Sequence, residues 1–171
     1  MFYHAIVFLP LLGAIIAGIV SLRQHHNIAT LVSIAGVCLS LVLSCFAFVE
    51  IALGGQALTV EVARWIGSGD FQAHWTLRFD TLTAVMLIVV TGVSSCVHIY
   101  SVGYMSHDKA RGRFMAYLSL FTFAMLMLVT ADNLVQLFFG WEGVGVASYL
   151  LIGFWYHKES AHTAAMKAFV V

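Results

Sequence analysis

Long apolar runs separated by short polar links dominate this chain. Five runs are long enough to cross a hydrocarbon core about 30 Å thick as helices, which takes about 20 residues each. We place them near Phe2–Leu22, Ile28–Leu53, Thr81–Val102, Phe114–Thr130 and Leu134–Tyr156, and a sixth begins near Ala161. Runs this long fit helices better than the shorter alternating strands of a barrel. The pattern therefore predicts an all-α, polytopic transmembrane helix bundle.

The link between the second and third runs has a different pattern. Its residues alternate in polarity over Thr59–Ile66 and again over Trp75–Asp80, with turn-like Gly67–Asp70 between them. This predicts a small β-hairpin on the outer membrane face. Its plainest role is that of a structural cap or of a contact for a neighbouring subunit, without chemistry. No linker composition or internal repeat divides the chain, so we expect residues 1–171 to form a single transmembrane domain.

Composition supports the membrane assignment. The chain is 61% hydrophobic and only 9% charged, whereas a soluble domain carries about 25% charged residues. Its formal net charge is zero, which argues against a nucleic-acid partner. The three cysteines form no Cys-x-x-Cys pair and the histidines show no His-x-x-x-His spacing. We therefore expect no zinc, haem or iron–sulfur site, and we interpret the cysteines as buried free thiols.

Basic residues are distributed unevenly between the links. The links after the first, third and fifth runs hold Arg23, Lys109, Arg111, Arg113 and Lys158, whereas the other side holds only Arg64 and Arg78. Because lysine and arginine in short loops favour the cytoplasmic side, this asymmetry places the first group of links in the cytoplasm. The N-terminus then lies outside.

Glu142 is the strongest candidate for chemistry. It lies about 12 Å along the fifth run, near the middle of the hydrocarbon core. A charged residue there costs about 2.5 kcal/mol or more and is by default a hypothesis about an ion or proton path. Gly140, Gly143 and Gly145 flank it, so backbone or water can come near. The alternative is a structural carboxyl group that is hydrogen-bonded between helices.

The other acidic residues near the runs have simpler explanations. Glu50 lies near the outer end of the second run, from which its side chain can reach water. Asp80 and Asp132 stand at helix starts, where a carboxylate caps free N–H groups.

Two further ionisable residues are weaker candidates. Lys167 lies about six residues into the sixth run, where it could pair with a carboxylate through water or extend to the cytoplasmic surface. His98 lies near the cytoplasmic end of the third run, and its imidazole could relay protons near neutral pH. It could equally be an interfacial polar residue beside Tyr100 and Tyr104.

Three motifs stand out in the second half of the chain. They are Val-His-Ile-Tyr-Ser-Val-Gly-Tyr-Met at Val97–Met105, Gly-Trp-Glu-Gly-Val-Gly at Gly140–Gly145 and Ser-Tyr-Leu-Leu-Ile-Gly-Phe at Ser148–Phe154. Together they closely resemble the L subunit of respiratory complex I, the proton-pumping NADH:quinone oxidoreductase. The segments Ala131–Leu134 and Ala164–Phe169 fit the same pattern. The resemblance implies an antiporter-like, proton-translocating membrane subunit. Glu142 matches the family's proton-carrying glutamate, which works with a lysine from a later helix.

The resemblance also implies the surroundings of the chain. It implies that this chain binds no cofactor and that NADH, FMN, iron–sulfur clusters and quinone are held elsewhere in the complex. Its partners would be other membrane-arm subunits, the lipid bilayer and protons. The location would be the bacterial inner (plasma) membrane, with the mitochondrial inner membrane less favoured. Family members are several times longer, so we expect an N-terminal fragment.

Two other functions remain open at this point. The chain could be part of the large subunit of a multi-subunit cation/proton antiporter, which shares the glutamate-bearing helix and has no redox partner. It could also be a purely structural membrane anchor, in which Glu142 would have no role in transport.

Overall fold

Six helices and one two-stranded sheet make up the computed structural model, which describes residues 2–55, 57–68 and 71–170. The helices are α1 (Phe2–Leu22), α2 (His26–Phe48), α3 (Thr81–Tyr104), α4 (Arg111–Val129), α5 (Leu134–Ile152) and α6 (Glu159–Val170). The strands are β1 (Leu58–Ser68) and β2 (Phe71–Phe79). A π-helical turn, Val49–Leu53, extends α2.

The five spans expected from the sequence are confirmed. By length and composition, α1, α2 with its π-helical turn, α3, α4 and α5 are all able to cross a membrane, although the structure contains no membrane. The ends differ from the apolar runs by a few residues. For example, α5 ends at Ile152, before Tyr156, because the chain turns at Gly153. The chain is therefore a multi-pass membrane protein.

Side-chain caps fix the starts of two helices. The Asp80 Oδ1 accepts a hydrogen bond of 2.8 Å from the Thr83 N–H at the start of α3, as expected. At the start of α5 we expected Asp132 to be the cap, and this was wrong by one residue. The Asn133 Oδ1 accepts the 2.9 Å hydrogen bond from the Gln136 N–H instead. An amide oxygen can cap a helix as well as a carboxylate can.

The predicted hairpin is confirmed and is docked on the helices. Strands β1 and β2 pair antiparallel from Leu58 opposite Phe79 to Ser68 opposite Phe71; of the predicted turn, Gly69 and Asp70 lie outside the described residues. The Gln136 Oε1 accepts a 3.0 Å bond from the Thr76 N–H. The hairpin therefore holds the first turn of α5, the helix that carries Glu142. We call the end of the bundle that carries the hairpin the hairpin end. The opposite end holds the α1–α2, α3–α4 and α5–α6 links, and we call it the basic end.

Helix α4 is the centre of the bundle, because it packs against α1, α2, α3 and α5. Glycines allow the closest approach between helices. A Cβ on Gly140 would lie 2.7 Å from the Leu128 backbone, and one on Gly36 would lie 3.1 Å from the Leu9 carbonyl oxygen. No room therefore exists for a side chain at the α4–α5 crossing.

The sequence also holds pairs of small residues four positions apart that allow close helix packing, namely Gly13 with Ala17, Ala14 with Gly18, and Gly143 with Ala147. In the structure only some of these residues pack closely. Gly13 and Ala17 are buried between helices, and a Cβ on Gly143 would lie 3.2 Å from the Ala124 Cβ. A Cβ on Gly18 would have no atom within 4 Å, so among the described residues Gly18 does not bring α1 close to another helix. The cysteines also differ from expectation, because Cys45 and Cys96 are exposed on outer helix faces and Cys38 is half-buried.

Replacing Gly140 with alanine tests the α4–α5 crossing. The new Cβ would clash with the Leu128 backbone, so we expect Gly140→Ala to cost about 1–3 kcal/mol of stability, as overpacking does. The readout is the thermal unfolding midpoint of the full-length subunit in detergent. Gly145→Ala is the matched control, because nothing lies within 4 Å of a Cβ there. Equal midpoints for the two variants would contradict the tight crossing.

Replacing Asp80 tests the cap of α3. The Thr83 backbone N–H, more than any other group, holds the pKa of Asp80 below its usual range, and the nearby Arg78 contributes. We expect Asp80→Ala to cost about 0.5–2 kcal/mol at neutral pH, whereas Asp80→Asn keeps an acceptor oxygen.

The pH dependence of this effect has a definite sign. A lowered folded-state pKa means that the charge of Asp80 stabilises the fold above its ordinary pKa and stops doing so as pH falls through the lowered value. The stability difference between the unmodified protein and Asp80→Ala should therefore shrink in acid, as measured by thermal unfolding. A difference that grew on acidification would rule out this cap.

Candidate functional site

Glu142 lies near the middle of α5, about 12 Å along the axis from Leu134 and about 15 Å from Ile152. Its side chain is exposed rather than buried within the described part of the chain. It lies at the edge of a groove of about 330 Å³ between α4 and α5. The groove is otherwise lined by Leu120, Phe123, Ala124, Met127, Phe139, Gly140, Gly143 and Val146. Glu142 is thus the one ionisable group on an apolar wall.

Two of the three glycines around Glu142 are used for helix packing. Gly140 and Gly143 face α4 and let it approach closely, whereas Gly145 has nothing within 4 Å of its Cβ position. Gly140 and Gly143 therefore fix α5 against α4, and Glu142 lines the groove between the two helices.

The carboxylate of Glu142 has no bonded partner in the part of the chain that is described. Both ion pairs found there involve the hairpin or its end, His74 with Glu61 at 2.9 Å and Arg78 with Asp80 at 3.4 Å. The alternative of a carboxyl group bonded between helices therefore has no bond to support it within these residues.

Lys167 is not brought together with Glu142. Its side chain is exposed in the last turn of α6, and the buried residue of that helix is Ala165, which contacts α5 near Gly153. Residues two apart on a helix lie about 200° apart around its axis. Lys167 therefore lies on the face of α6 turned away from α5, and its pairing with Glu142 stays a prediction.

His98 is fully buried, in contrast to the expected alternative of an interfacial histidine. Its neighbours Tyr100 and Tyr104 are exposed and stack on each other with ring centroids 5.9 Å apart, so the interface is formed by those residues. The His98 ring instead contacts hydroxyl groups of Ser94 on its own helix and of Ser119 on α4.

Four hydroxyl residues join His98 in one hydrogen-bonded cluster that we call the His98 network. Its members besides His98 are Ser33 on α2, Ser94 on α3, and Ser119 and Thr122 on α4. Sequence reasoning missed all four, because they come from three separate helices. The one readable signal was Ser94, which lies one helical turn before His98 and so shares its face.

The basic end of the bundle is held by a local polar contact. The Trp155 Nε1 donates to the Asp108 Oδ2 at 3.0 Å, and this bond is the main reason why the pKa of Asp108 lies below its usual range. The described residues contain no group of three or more His, Cys, Asp or Glu side chains that could hold a metal ion. The residues with potential chemistry are thus Glu142 in its groove and the His98 network.

Comparison with protein families gives two matches. Residues 65–115 match the family described as NADH-Ubiquinone oxidoreductase (complex I), chain 5 N-terminus. Residues 131–171 match the family described as NADH:quinone oxidoreductase/Mrp antiporter, TM. The second match contains Glu142 and Lys167, and the first contains His98.

Individual relatives agree along nearly the whole chain. NADH-quinone oxidoreductase subunit L of Rickettsia typhi is 52% identical over 165 residues, which are 96% of this chain and 25% of that protein. NADH-ubiquinone oxidoreductase chain 5 of Arabidopsis thaliana is 53% identical over 169 residues, which are 99% of this chain and 25% of that protein. The chain thus spans about a quarter of the length of these relatives.

A solved structure shows the same fold. A chain in the structure of the membrane-bound sulfane sulfur reductase, an archaeal respiratory membrane complex, superposes with a TM-score of 0.82. The match covers 96% of this chain and 32% of the other, at 16% sequence identity. With the motifs at Val97–Met105 and Gly140–Gly145 present as well, the chain belongs to the antiporter-like family that includes subunit L of NADH-quinone oxidoreductase and chain 5 of NADH-ubiquinone oxidoreductase.

Proposed function

We propose that this chain translocates protons as part of a membrane-arm subunit of NADH:quinone oxidoreductase, with Glu142 as the proton carrier. The supporting observation is the position of Glu142, which is an acid at mid-span, without a bonded partner in the described residues, at the edge of an apolar groove. An intramembrane acid of this kind is typical of proton paths. The family match at residues 131–171 includes it.

The energy needed is within reach of one moving charge. Carrying one proton against 100 mV requires about 2.3 kcal/mol. A cation that approaches a carboxylate from about 8 Å to about 4 Å changes their interaction by about 2 kcal/mol at an effective dielectric constant of 20. Changes in the distance between Glu142 and a lysine could therefore drive uptake and release of its proton.

Two lysines are candidates for this role, and neither lines the groove among the described residues. Lys167 is the candidate within this chain, and pairing with Glu142 would require α6 to rotate or Lys167 to reach around it. The alternative is a lysine from a later helix, as the family resemblance implies. The groove between α4 and α5 is open on the side of Glu142, so either cation could approach it there.

The remaining components belong to the complex. In this proposal NADH, FMN, iron–sulfur clusters and quinone are bound by other subunits, while this chain contacts neighbouring membrane-arm subunits, lipid and protons. Residues 1–171 act as one transmembrane domain. The composition and motifs favour a bacterial inner membrane over the mitochondrial inner membrane, while relatives come from both bacteria and plants.

A second candidate is the large subunit of a cation/proton antiporter. The family matched at residues 131–171 is shared by NADH:quinone oxidoreductase and the Mrp antiporter, which gives this alternative a specific basis. The two differ in driving force. Proton movement driven by NADH oxidation identifies the first, and proton movement driven by a sodium gradient without NADH identifies the second.

Replacing Glu142 with glutamine tests the proposal. The change removes the titratable group while keeping its size, so we expect the complex to assemble and to pump fewer protons for each NADH oxidised. The measurement is proton uptake into proteoliposomes that contain the whole complex, with NADH oxidation recorded in parallel.

Glu50→Gln is the matched control for this variant. Glu50 also lies in a helical segment and is exposed, but it sits at the hairpin end, away from mid-span. We expect it to pump at the unmodified ratio. An unmodified ratio in Glu142→Gln would contradict the role of Glu142, and tolerance of Glu142→Ala in both assembly and pumping would support the structural-anchor interpretation.

A further inference from the structure

The His98 network is continuous across three helices. The His98 Nε2 lies 3.1 Å from the Ser119 Oγ, which lies 2.6 Å from the Ser33 Oγ. On the other side of the ring, the Ser94 Oγ lies 3.3 Å from Nδ1 and 2.5 Å from the Thr122 Oγ1. The imidazole thus contacts α3 and α4 directly and is connected to α2 through Ser119.

One ring nitrogen of His98 has a fixed role. Its Nδ1 lies 2.8 Å from the Ser94 carbonyl oxygen, and a carbonyl can only accept a hydrogen bond. The Nδ1 atom therefore carries a proton in either charge state. Only Nε2 is left to gain or lose one, and its neighbour is the Ser119 hydroxyl.

When the His98 ring is neutral, the hydrogen bonds on its Nε2 side need one more proton than the hydroxyl groups there supply. Three contacts follow one another, from Nε2 to Ser119, from Ser119 to Ser33, and from the Ser33 Oγ to the Met115 carbonyl oxygen at 3.1 Å. Each hydrogen bond needs one proton, and the two hydroxyls supply two. When Nε2 is bare, Ser119 donates to it and Ser33 donates to Ser119, and the contact to Met115 has no proton.

A proton on Nε2 completes all three bonds. Nε2–H then donates to Ser119, Ser119 donates to Ser33, and Ser33 donates to the Met115 carbonyl oxygen. The neutral and the protonated states use the same positions of the heavy atoms. Apart from the added proton, they differ only in the direction of the Ser119 and Ser33 hydroxyl groups. Such a cluster can hold an extra proton without any repacking, which is unusual in a close-packed interior.

We propose that the His98 network is a second protonatable site, distinct from Glu142, in which Ser119 and Ser33 reverse their hydrogen bonds as His98 gains or loses a proton. This inference rests on the proposed function. In uptake, the O–H bond of Ser119 breaks as the N–H bond forms on Nε2, Ser33 passes its proton to Ser119, and a hydronium ion that reaches Ser33 restores its O–H bond and leaves as water. Each hydroxyl keeps one proton, and His98 gains one positive charge.

The network is separate from the groove of Glu142. Ser119 and Thr122 project from a different face of α4 than the groove residues Leu120 and Ala124, as the helical repeat of about 3.6 residues requires. None of the residues that line the Glu142 groove belongs to the network. Ser94 and Thr122 instead line a second, apolar groove of about 360 Å³ between α3 and α4.

Charged groups do not stabilise the network directly. The other titratable or charged residues on α2, α3 and α4 are His26, Cys38, Cys45, Cys96, Tyr100, Tyr104, Arg111, Arg113 and Tyr117. Among the described residues, none of them is hydrogen-bonded to the His98 ring. Ser119 lies about 9 Å along the axis from Arg113, at the same depth below the basic end as Ser33 and His98. Solvation of a charged ring therefore comes from the hydroxyls themselves.

The test removes one hydroxyl at a time in the complete complex. Ser119→Ala and Ser33→Ala each break the chain on the Nε2 side. Ser101→Ala and Ser40→Ala are matched controls, because these buried hydroxyls donate to the Val97 and Ile6 carbonyl oxygens and lie outside the network. In proteoliposomes we measure protons pumped per NADH oxidised across the pH range around the titration of imidazole.

The expected result is a loss of pumped protons per NADH in both network variants, together with a changed pH dependence of that ratio. Both controls should match the unmodified complex. The proposal is overturned if the network variants pump with the unmodified ratio and pH profile, if the controls show the same loss, or if the network variants fail to assemble while the controls assemble.

Glu142→Gln in the same assay separates this proposal from the proposed function. Loss of pumping in Glu142→Gln with unmodified pumping in Ser119→Ala and Ser33→Ala would reject the second site alone. Unmodified pumping in Glu142→Gln would reject the role of Glu142 whatever the network variants show.

Discussion

The interior of a lipid bilayer offers no hydrogen-bond partners, and this constraint governs the polar residues of the bundle. Most of them are satisfied within their own helix or by the next one. Thr91 donates to the Leu87 carbonyl oxygen at 2.6 Å, and Ser44 donates to the Ser40 carbonyl oxygen at 2.8 Å. Among the described residues, the Ser95 Oγ and the Gln136 Nε2 are buried without a partner, and Glu142 and His98 depart from the pattern as well. Glu142 has no hydrogen-bonded partner among the described residues. The His98 ring has enough hydrogen-bond partners to accommodate an additional proton.

Helix α4 relates these two residues to each other. One of its faces forms the groove beside Glu142, and another contributes Ser119 and Thr122 to the His98 network. The close crossing at Gly140 fixes the position of α5 on α4, and the hairpin holds the start of α5 through Gln136. A rigid α4 thus keeps two candidate proton sites apart, and a shift of α4 would alter the surroundings of both.

The sequence predicted those features that depend on local pattern. The lengths of the apolar runs gave the five spans, alternation around glycine gave the hairpin, and the position of Asp80 gave the cap of α3. Glu142 was identified because a single acid in a long apolar run is conspicuous whatever the tertiary fold. The cap of α5 was misplaced by one residue because Asp132 and Asn133 are both good capping residues.

Features that depend on helix rotation and on distant pairing were not predictable. The spans are apolar on all sides, so their sequences do not show which face is buried. The expectation of buried thiols at Cys45 and Cys96 was wrong for this reason. The Ser33–Ser119 contact joins residues 86 positions apart, and no local pattern connects them. The network therefore emerges only when α2, α3 and α4 are packed together.

The central claim is that Glu142 changes its protonation during turnover, and infrared difference spectroscopy of the complete complex tests it most directly. A protonated carboxyl group has a C=O stretch that a carboxylate lacks. We expect such a band to appear and disappear when NADH oxidation is started and stopped, and to be missing in Glu142→Gln. Identical difference spectra for the unmodified complex and Glu142→Gln would show that this side chain keeps a fixed charge, and would contradict the account.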